Sequence, residues 1–306
     1  MKITSDYKFT DITELVKHDY HTHYIPDSHV LIAEKGFTEH LLCTKTRYSD
    51  VFWFYRSDSI IGQSLHHYGE YTQFELNLLD NFIQPNSVIY DIGANIGVHT
   101  VAFAQKGKHV YAFEPNKLNY KLLKLNTACL DNVSLYETAI SSDVGVTHIE
   151  EFNLTNIGNY GECRIVENGQ ECAKTSIDTL VNNKEIEVPH VIKIDVEGHE
   201  YEVFRGMEQT IKIYMPVIFY EALHCDLSSI YDMLHGLQYK LYWFPCANYN
   251  PQNYRNNRNN IFGAGGVINI LAVPPSMVIQ TSLPEVISNT DTFIDAVNRM
   301  SNDKRN

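Results

Sequence analysis

The sequence predicts an α/β protein in which a mostly parallel sheet is covered by helices on both faces. Two observations predict this fold class. From Ser87 onward, short apolar runs of strand length alternate with helical patterns of about 10–15 residues. The first of these runs also ends in a glycine-containing turn, DIGANIG, that leads directly into a helical pattern. Such alternation is typical of βαβ units, whose strands are parallel and buried on both faces.

The elements follow in order along the chain. Phe52–Leu65 predicts short strands joined by the polar turn RSDS, and Tyr71–Ile83 predicts an amphipathic helix from the spacing of its apolar residues. The later predicted strands are SVIYDIG, HVYAFEP, VSLYETAIS, VIKIDVEG, PVIFYEA, YKLYWF and GVINILAVP. The predicted helices between and after them are VHTVAFAQKG, KLNYKLLKLNTACL, EYEVFRGMEQTI, LSSIYDMLHGL and TFIDAVNRM. The asparagine-rich stretch Asn248–Asn260 predicts a surface loop.

Composition and charge narrow the class of partner. The 306 residues are 44% hydrophobic, enough for a sizeable core, and include 24 Lys+Arg against 37 Asp+Glu, a formal charge of −13. Such a charge repels phosphate backbones, which argues against nucleic acid as a partner. Because no signal-peptide pattern and no run of about 18 apolar residues is present, we expect a cytoplasmic protein without a membrane span. The sequence carries no prediction of oligomeric state.

The turn after the first parallel strand predicts a ligand site, because ligands bind beyond the carboxyl ends of such strands. Gly93 and Gly97 let the backbone approach a ligand closely, and Asn95 tolerates a left-handed conformation. The carboxylate of Asp91 suits an ammonium group, and Glu114 ends the next strand, where ribose hydroxyls are bound. Since two of the three glycines of a dinucleotide motif are missing, these residues favour S-adenosylmethionine over NAD.

These motifs together resemble the FkbM-type methyltransferases, which are class I S-adenosylmethionine-dependent enzymes. The segments VIYDIGANIGVHTVAFA, VYAFEPN, TSIDTL, IKIDVEGHEYEVFRG and INILAVP occur in the family's order between Gly69 and Pro274. The resemblance implies a Rossmann-like, seven-stranded, mostly parallel sheet with one antiparallel strand. It implies O-methylation of a saccharide or glycan-like hydroxyl. By position in the family, it also implies that Glu70 and Ser141 contact the donor.

A second set of polar residues follows a later strand and predicts the reaction site. Asp195, Glu197, His199 and Glu200 collect at the carboxyl end of IKI, and Glu221 closes the next strand, so it should reach the same edge. We predict Asp195 as the base that takes the acceptor's proton, with His199 and Glu221 as further catalytic candidates. Asp195 is also assigned to the cofactor site, and Glu197 and Glu200 to the acceptor. Alternatively, these carboxylates cap the next helix and bind hydroxyls without moving a proton.

The remaining predictions concern the asparagine-rich loop and a metal. We assign Asn253 to the acceptor, because amides both donate to and accept from sugar hydroxyls. A divalent metal held by Asp195, His199 and Glu221 is an alternative, but no spacing in the sequence defines its geometry, so no metal ligand is assigned.

The predicted organisation is an N-terminal extension, 1–70, that packs on the core, a class I methyltransferase domain, 71–275, and a C-terminal tail, 276–306. Two other functions stay open. A nicotinamide-dependent sugar oxidoreductase is weakened by the missing glycines, and Asp91 together with Glu114 argues against a non-catalytic glycan-binding relative.

Overall fold

A seven-stranded sheet forms the centre of the protein in the computed structural model, which describes residues 37–303. The strands of this range are β1 (Leu41–Thr44), β2 (Phe52–Tyr55), β3 (Val88–Ile92), β4 (His109–Phe113), β5 (Val133–Tyr136), β6 (Ala139–Ile140), β7 (Gly145–Ile149), β8 (Ile165–Val166), β9 (Gln170–Thr175), β10 (Val191–Ile194), β11 (Val217–Glu221), β12 (Lys240–Ala247) and β13 (Gly266–Val273). The order in the large sheet is β12-β13-β11-β10-β3-β4-β5. β13 runs antiparallel to both of its neighbours, and the other pairings are parallel, which confirms the predicted fold class.

Helices cover both faces of this sheet. A short 3-10 helix at Thr38–His40 precedes them, and they are α1 (Ile61–Tyr68), α2 (Gln73–Leu79), α3 (Val98–Ala104), α4 (Lys117–Thr127), α5 (Ile177–Asn182), α6 (Glu200–Arg205), α7 (Glu208–Tyr214), α8 (Leu227–Gly236) and α9 (Phe293–Asp303). In the described range no helix is long and apolar enough to cross a membrane.

The strands are continuous apolar runs because both faces of the sheet are buried. Alternate residues of a strand point to opposite faces, so Tyr90 and Tyr220 enter one core cluster while Ile89 and Phe219 enter the other. Each such side chain contributes about 1.5–3 kcal/mol when it is fully buried. The two clusters hold the sheet rigid, so the carboxyl ends of its strands form a stable platform for a site.

The described part of the extension packs on this core. Leu41, Phe52 and Leu65 share one apolar cluster with Val101 of α3 and Leu122 of α4. Residues 1–36 of the predicted extension lie outside the described residues, and the division of the chain into extension, domain and tail stays a prediction.

The expectation of two strands within Phe52–Leu65 was wrong in its second half, which forms helix α1. Asp58 Oδ1 accepts a hydrogen bond of 2.8 Å from the Ile60 backbone N–H and so turns the chain after β2. Ile61, Leu65 and Tyr68 then follow at helical spacing and are buried. An isolated Ile-Ile pair does not distinguish a strand from the first turn of a helix.

Two other segments, each predicted as one element, form two elements in the structure. VSLYETAIS forms β5 and β6 in different sheets, because the insertion after it builds a second sheet in the order β6-β9-β7-β8. EYEVFRGMEQTI forms α6 and α7, which are separated at Gly206. A Cβ atom at Gly206 would lie 1.9 Å from the Ser141 carbonyl oxygen, so the close approach of that loop accounts for the glycine.

The buried Asp58 carboxyl makes stability pH-dependent. Burial raises its pKa from 3.8 to about 6, against the lowering effect of backbone hydrogen bonds. Because the folded pKa is the higher one, this contribution to folding is complete below about pH 4 and is lost as the pH rises through about 6. We expect the free energy of unfolding of the wild type to rise by about 1–3 kcal/mol relative to D58N between pH 8 and pH 4. Urea unfolding of both proteins at each pH measures this, and parallel pH profiles would contradict it.

Candidate active site

A cavity of about 330 Å³ lies at the carboxyl ends of β3, β4, β10 and β11, the edge that the sequence predicted. The second sheet closes its far side through Ile140, Ile149 and Ile165. The predicted site residues that line the cavity are Gly93, Asn95, Glu114, Asp195, Glu197, His199 and Glu221. The other predicted site residues lie outside its lining.

The glycine turn has the expected conformation. Gly93, Asn95 and Gly97 have φ values of 78°, 50° and 95°. A Cβ atom at Gly93 would lie 1.8 Å from the Asp195 carbonyl oxygen, so the neighbouring strand end excludes any larger residue. Gly97 does not reach the cavity. A Cβ there would instead meet Leu123 at 2.8 Å, which indicates that Gly97 is needed for helix packing.

Glu114 connects this turn to the next strand. Its Oε2 accepts a hydrogen bond of 2.8 Å from the Asn95 backbone N–H, and its Oε1 accepts one of 2.8 Å from the Asn116 N–H. Burial raises the pKa of Glu114 to about 7, although these two bonds oppose the shift. Since each carboxylate oxygen has two lone pairs, Glu114 can also accept from a ligand in the cavity.

Asp91 lies beneath the turn and does not line the cavity, in contrast to the expected contact with an ammonium group. Thr100 Oγ1 donates to Asp91 Oδ2 at 2.6 Å, and Lys193 Nζ lies 3.5 Å from Asp91 Oδ1. The carboxylate is fully buried and its charge is balanced from within the protein. In the structure Asp91 thus contacts Lys193 and does not reach the cavity.

Lys193 is a site residue that sequence reasoning missed. Its ammonium donates to the Gly93 carbonyl oxygen at 2.9 Å and lies 3.4 Å from Asp195 Oδ2. Burial alone would lower the pKa of Lys193, but the charges of Asp195 and Asp91 outweigh it and raise the pKa. The available signal was a single lysine inside the apolar run VIKI.

Three carboxylates converge on the cavity. Asp195 follows β10, Glu197 lies in the turn after it at φ 55°, and Glu221 ends β11. One oxygen of each lies within 4.8 Å of the others. Burial, followed by the charge of Asp195, raises the pKa of Glu197 to about 8 and that of Glu221 to about 9. Within the described residues, the site therefore holds more acidic groups than the neighbouring Lys193 can pair with.

His199 lines the same cavity but is not part of this cluster. Its Nε2 lies 3.0 Å from Ser141 Oγ, so Ser141 orients the imidazole and does not itself reach the cavity. Burial lowers the pKa of His199, which leaves the ring neutral near pH 7. Glu200 is buried behind the turn, where its Oε1 accepts from the N–H groups of Val196 and Gly198. Glu200 thus shapes the turn, and the structure does not place it against an acceptor.

Glu70 and Asn253 lie outside the cavity lining. Glu70 accepts hydrogen bonds from Arg47 at 2.7 Å and from Asn250 at 2.7 Å, so it joins the extension to the asparagine-rich loop. The Asn253 side chain points inward, but it donates to the carbonyl oxygens of Asn250 and Asn257 and holds the loop together. In the described structure both residues are structural links, and their predicted ligand contacts remain predictions.

The strand order with one reversed strand, together with a cavity at the glycine turn of the first parallel strand, defines the class I methyltransferase fold. Residues 91–241 match the methyltransferase FkbM domain, so the chain contains an FkbM-type methyltransferase domain.

A curated relative and several solved structures are similar to this chain. The hexuronic acid methyltransferase AglP of Haloferax volcanii is 32% identical over 139 residues, which cover 45% of this chain and 56% of AglP. The chain thus matches little more than half of the length of that relative. A structure of methyltransferase FkbM from Methylobacillus flagellatus has a TM-score of 0.41 at 14% identity and covers 62% of this chain and 44% of its own. A methyltransferase from Agrobacterium tumefaciens has a TM-score of 0.44 at 8% identity and covers 77% and 70%. These structural similarities are weak, and the fold assignment rests on the strand order.

Proposed function

We propose that this protein transfers a methyl group from S-adenosylmethionine to a hydroxyl of a saccharide acceptor. The observation that carries the proposal is the single cavity wall that joins the Gly93 turn, Glu114 and Asp195. The match to the methyltransferase FkbM domain supports methyl transfer, and the name of the relative AglP supports a sugar as the acceptor.

The donor fits along the turn. Glu114 would accept hydrogen bonds from the ribose hydroxyls, as an acid at the end of the second parallel strand does in nucleotide sites. Ile140, Ile149 and Ile165 offer an apolar wall for the flat adenine base. The methionine portion would lie over Gly93, where Lys193 and Asp195 place one charge of each sign.

The reaction needs one base. As the acceptor oxygen forms a bond to the methyl carbon, the sulfur–carbon bond breaks, its electron pair stays on sulfur, and the hydroxyl proton leaves. Asp195 is the first candidate to take that proton, because its side chain is 42% exposed in the cavity while Lys193 holds one of its oxygens. His199 is the second, because its neutral imidazole lines the same space. Glu221, with its raised pKa, would hold a proton near neutral pH and is therefore the least available of the three to accept one.

Donor binding tests the proposal directly. Calorimetry with S-adenosylhomocysteine should show one site, and NAD should not bind. E114Q should weaken the site about 10- to 100-fold, because the amide cannot accept from the ribose and from both backbone N–H groups. E137Q, which removes an exposed acid between β5 and β6, is the matched control and should bind as the wild type does.

The other results of the binding experiment would each favour a different function. Binding of NAD without S-adenosylhomocysteine would replace the proposal with an oxidoreductase, and binding of neither would favour a non-catalytic relative. Sugars and uronic acids incubated with labelled S-adenosylmethionine then identify the acceptor through a gain of one methyl group by mass.

A further inference from the structure

We propose that Asp195, Glu197 and Glu221 bind a divalent metal ion of the Mg²⁺ or Mn²⁺ class. The sequence offered Asp195, His199 and Glu221 as an alternative ligand set and assigned no metal. In the structure the third member of the cluster is Glu197 and not His199. The His199 Nε2 faces Ser141, whereas the Glu197 carboxylate lies beside those of Asp195 and Glu221. Binding of the ion stands on this geometry, and only its role in the reaction rests on the proposed function.

The spacing of the three oxygens suits one ion. They lie within 4.8 Å of one another. Mg²⁺ binds oxygen ligands at about 2.0–2.1 Å in an octahedron, so its ligand oxygens are about 3–4 Å apart. Side-chain rotation would bring the three oxygens from the observed spacing to that of a bound ion. Mg²⁺ commonly keeps several waters beside one or two carboxylates, so positions would remain open toward the cavity.

An unpaired buried carboxylate points to the ion independently of the spacing. Glu221 is 7% exposed, and its Oε2 is buried without any hydrogen-bond partner in the described structure. Buried polar atoms nearly always have a partner, so this unpaired oxygen indicates a missing ligand. A metal ion at the cluster supplies that missing partner.

The balance of charge around the three carboxylates also favours a bound cation. Within residues 37–303, neither Glu197 nor Glu221 forms an ion pair, and Lys193 is already shared between Asp195 and Asp91. Glu200, which is 1% exposed, adds another acid beside the cluster, and its Oε2 also has no partner in the described range.

The ion would give the acceptor a positive contact on a wall that is otherwise acidic. Sugar hydroxyl oxygens are suitable ligands for its open positions, since hard cations prefer oxygen. With Asp195 coordinated, His199 is the base that remains free in the cavity.

Metal binding can be measured with Mn²⁺ alone. The full chain is freed of metal with a chelator and titrated with Mn²⁺, and free Mn²⁺ is followed by electron paramagnetic resonance. We expect one Mn²⁺ per chain in the wild type and at least a tenfold loss of affinity in E197Q and in E221Q. E162Q is the matched control, because Glu162 lines the same cavity and its charge acts on Glu197, but it is outside the cluster. It should bind Mn²⁺ within about twofold of the wild type.

Two results would overturn the metal site: no stoichiometric Mn²⁺ binding to the wild type, or equal weakening by E162Q and E221Q, which would indicate a diffuse charge effect. Thermal unfolding of each variant shows that it is folded. S-adenosylhomocysteine binding after chelation separates the two proposals. If S-adenosylhomocysteine binds and Mn²⁺ does not, the metal proposal alone is wrong. If Mn²⁺ binds and S-adenosylhomocysteine does not, the proposed function is wrong and the metal site stands.

Discussion

Replacing Asp195 with asparagine should lower kcat by about 10²–10⁴-fold, the range that a general base contributes. Asparagine keeps the size of the side chain but cannot take a proton from the acceptor hydroxyl. Lys193 keeps Asp91 and the Gly93 carbonyl oxygen as partners, so the turn should persist and S-adenosylhomocysteine should still bind. D131N is the matched control, because Asp131 is exposed before β5 at the opposite edge of the sheet, and its kcat should stay normal.

A normal kcat in D195N, with donor binding intact, would remove Asp195 from the reaction. The same variant also tests which role the carboxylate has. If kcat falls while Mn²⁺ still binds, Asp195 acts as the base. If both fall together, Asp195 is a metal ligand and His199 is the base, which a further loss of turnover in H199Q would support.

Replacing Gly93 with alanine should destabilise the protein by about 3 kcal/mol or more, or prevent it from folding, because a backbone strain of about 1–3 kcal/mol adds to the steric overlap of the new methyl group. The added methyl would lie 1.8 Å from the Asp195 carbonyl oxygen, and the φ of 78° disfavours alanine as well. Urea unfolding measures the loss. G236A is the matched control, because Gly236 ends α8 with no atom within 4 Å of the added Cβ, so stability should stay the same or rise by up to about 1 kcal/mol.

G97A makes this prediction testable even if G93A does not fold. A Cβ at Gly97 would meet only the tip of the Leu123 side chain at 2.8 Å, although its φ of 95° also carries strain. G97A should therefore lie between G93A and G236A in stability. A G93A protein as stable as G236A would mean that the strand ends at Gly93 and Asp195 can separate. The interpretation that the turn is rigid would then be wrong.

The parallel sheet and the edge that carries the site were predictable because both depend on local pattern. Apolar runs bounded by turns locate the strands, and the carboxyl ends of parallel strands meet at one edge. The placement of Asp195, Glu197 and Glu221 around one cavity follows from that rule alone.

The balance of charge at the site was not predictable, because it depends on register between distant strands. Asp91 was expected to face a ligand, but β10 places Lys193 directly beside it. About a hundred residues separate the two, and no local pattern aligns them. Asn253 shows the same limit on a smaller scale: an amide-rich loop suits a sugar, yet its amides are used within the loop.

The position of β13 between β11 and β12 has a consequence for how the chain is made. As the nascent chain leaves the ribosome, β11 and β12 emerge well before the strand that must lie between them. Glu221, which pairs with Asn269 of β13, therefore lacks one of its neighbours until β13 has been made. The half of the sheet from β3 to β5 can associate during synthesis, whereas the edge that carries the candidate site is complete only after β13 has been made.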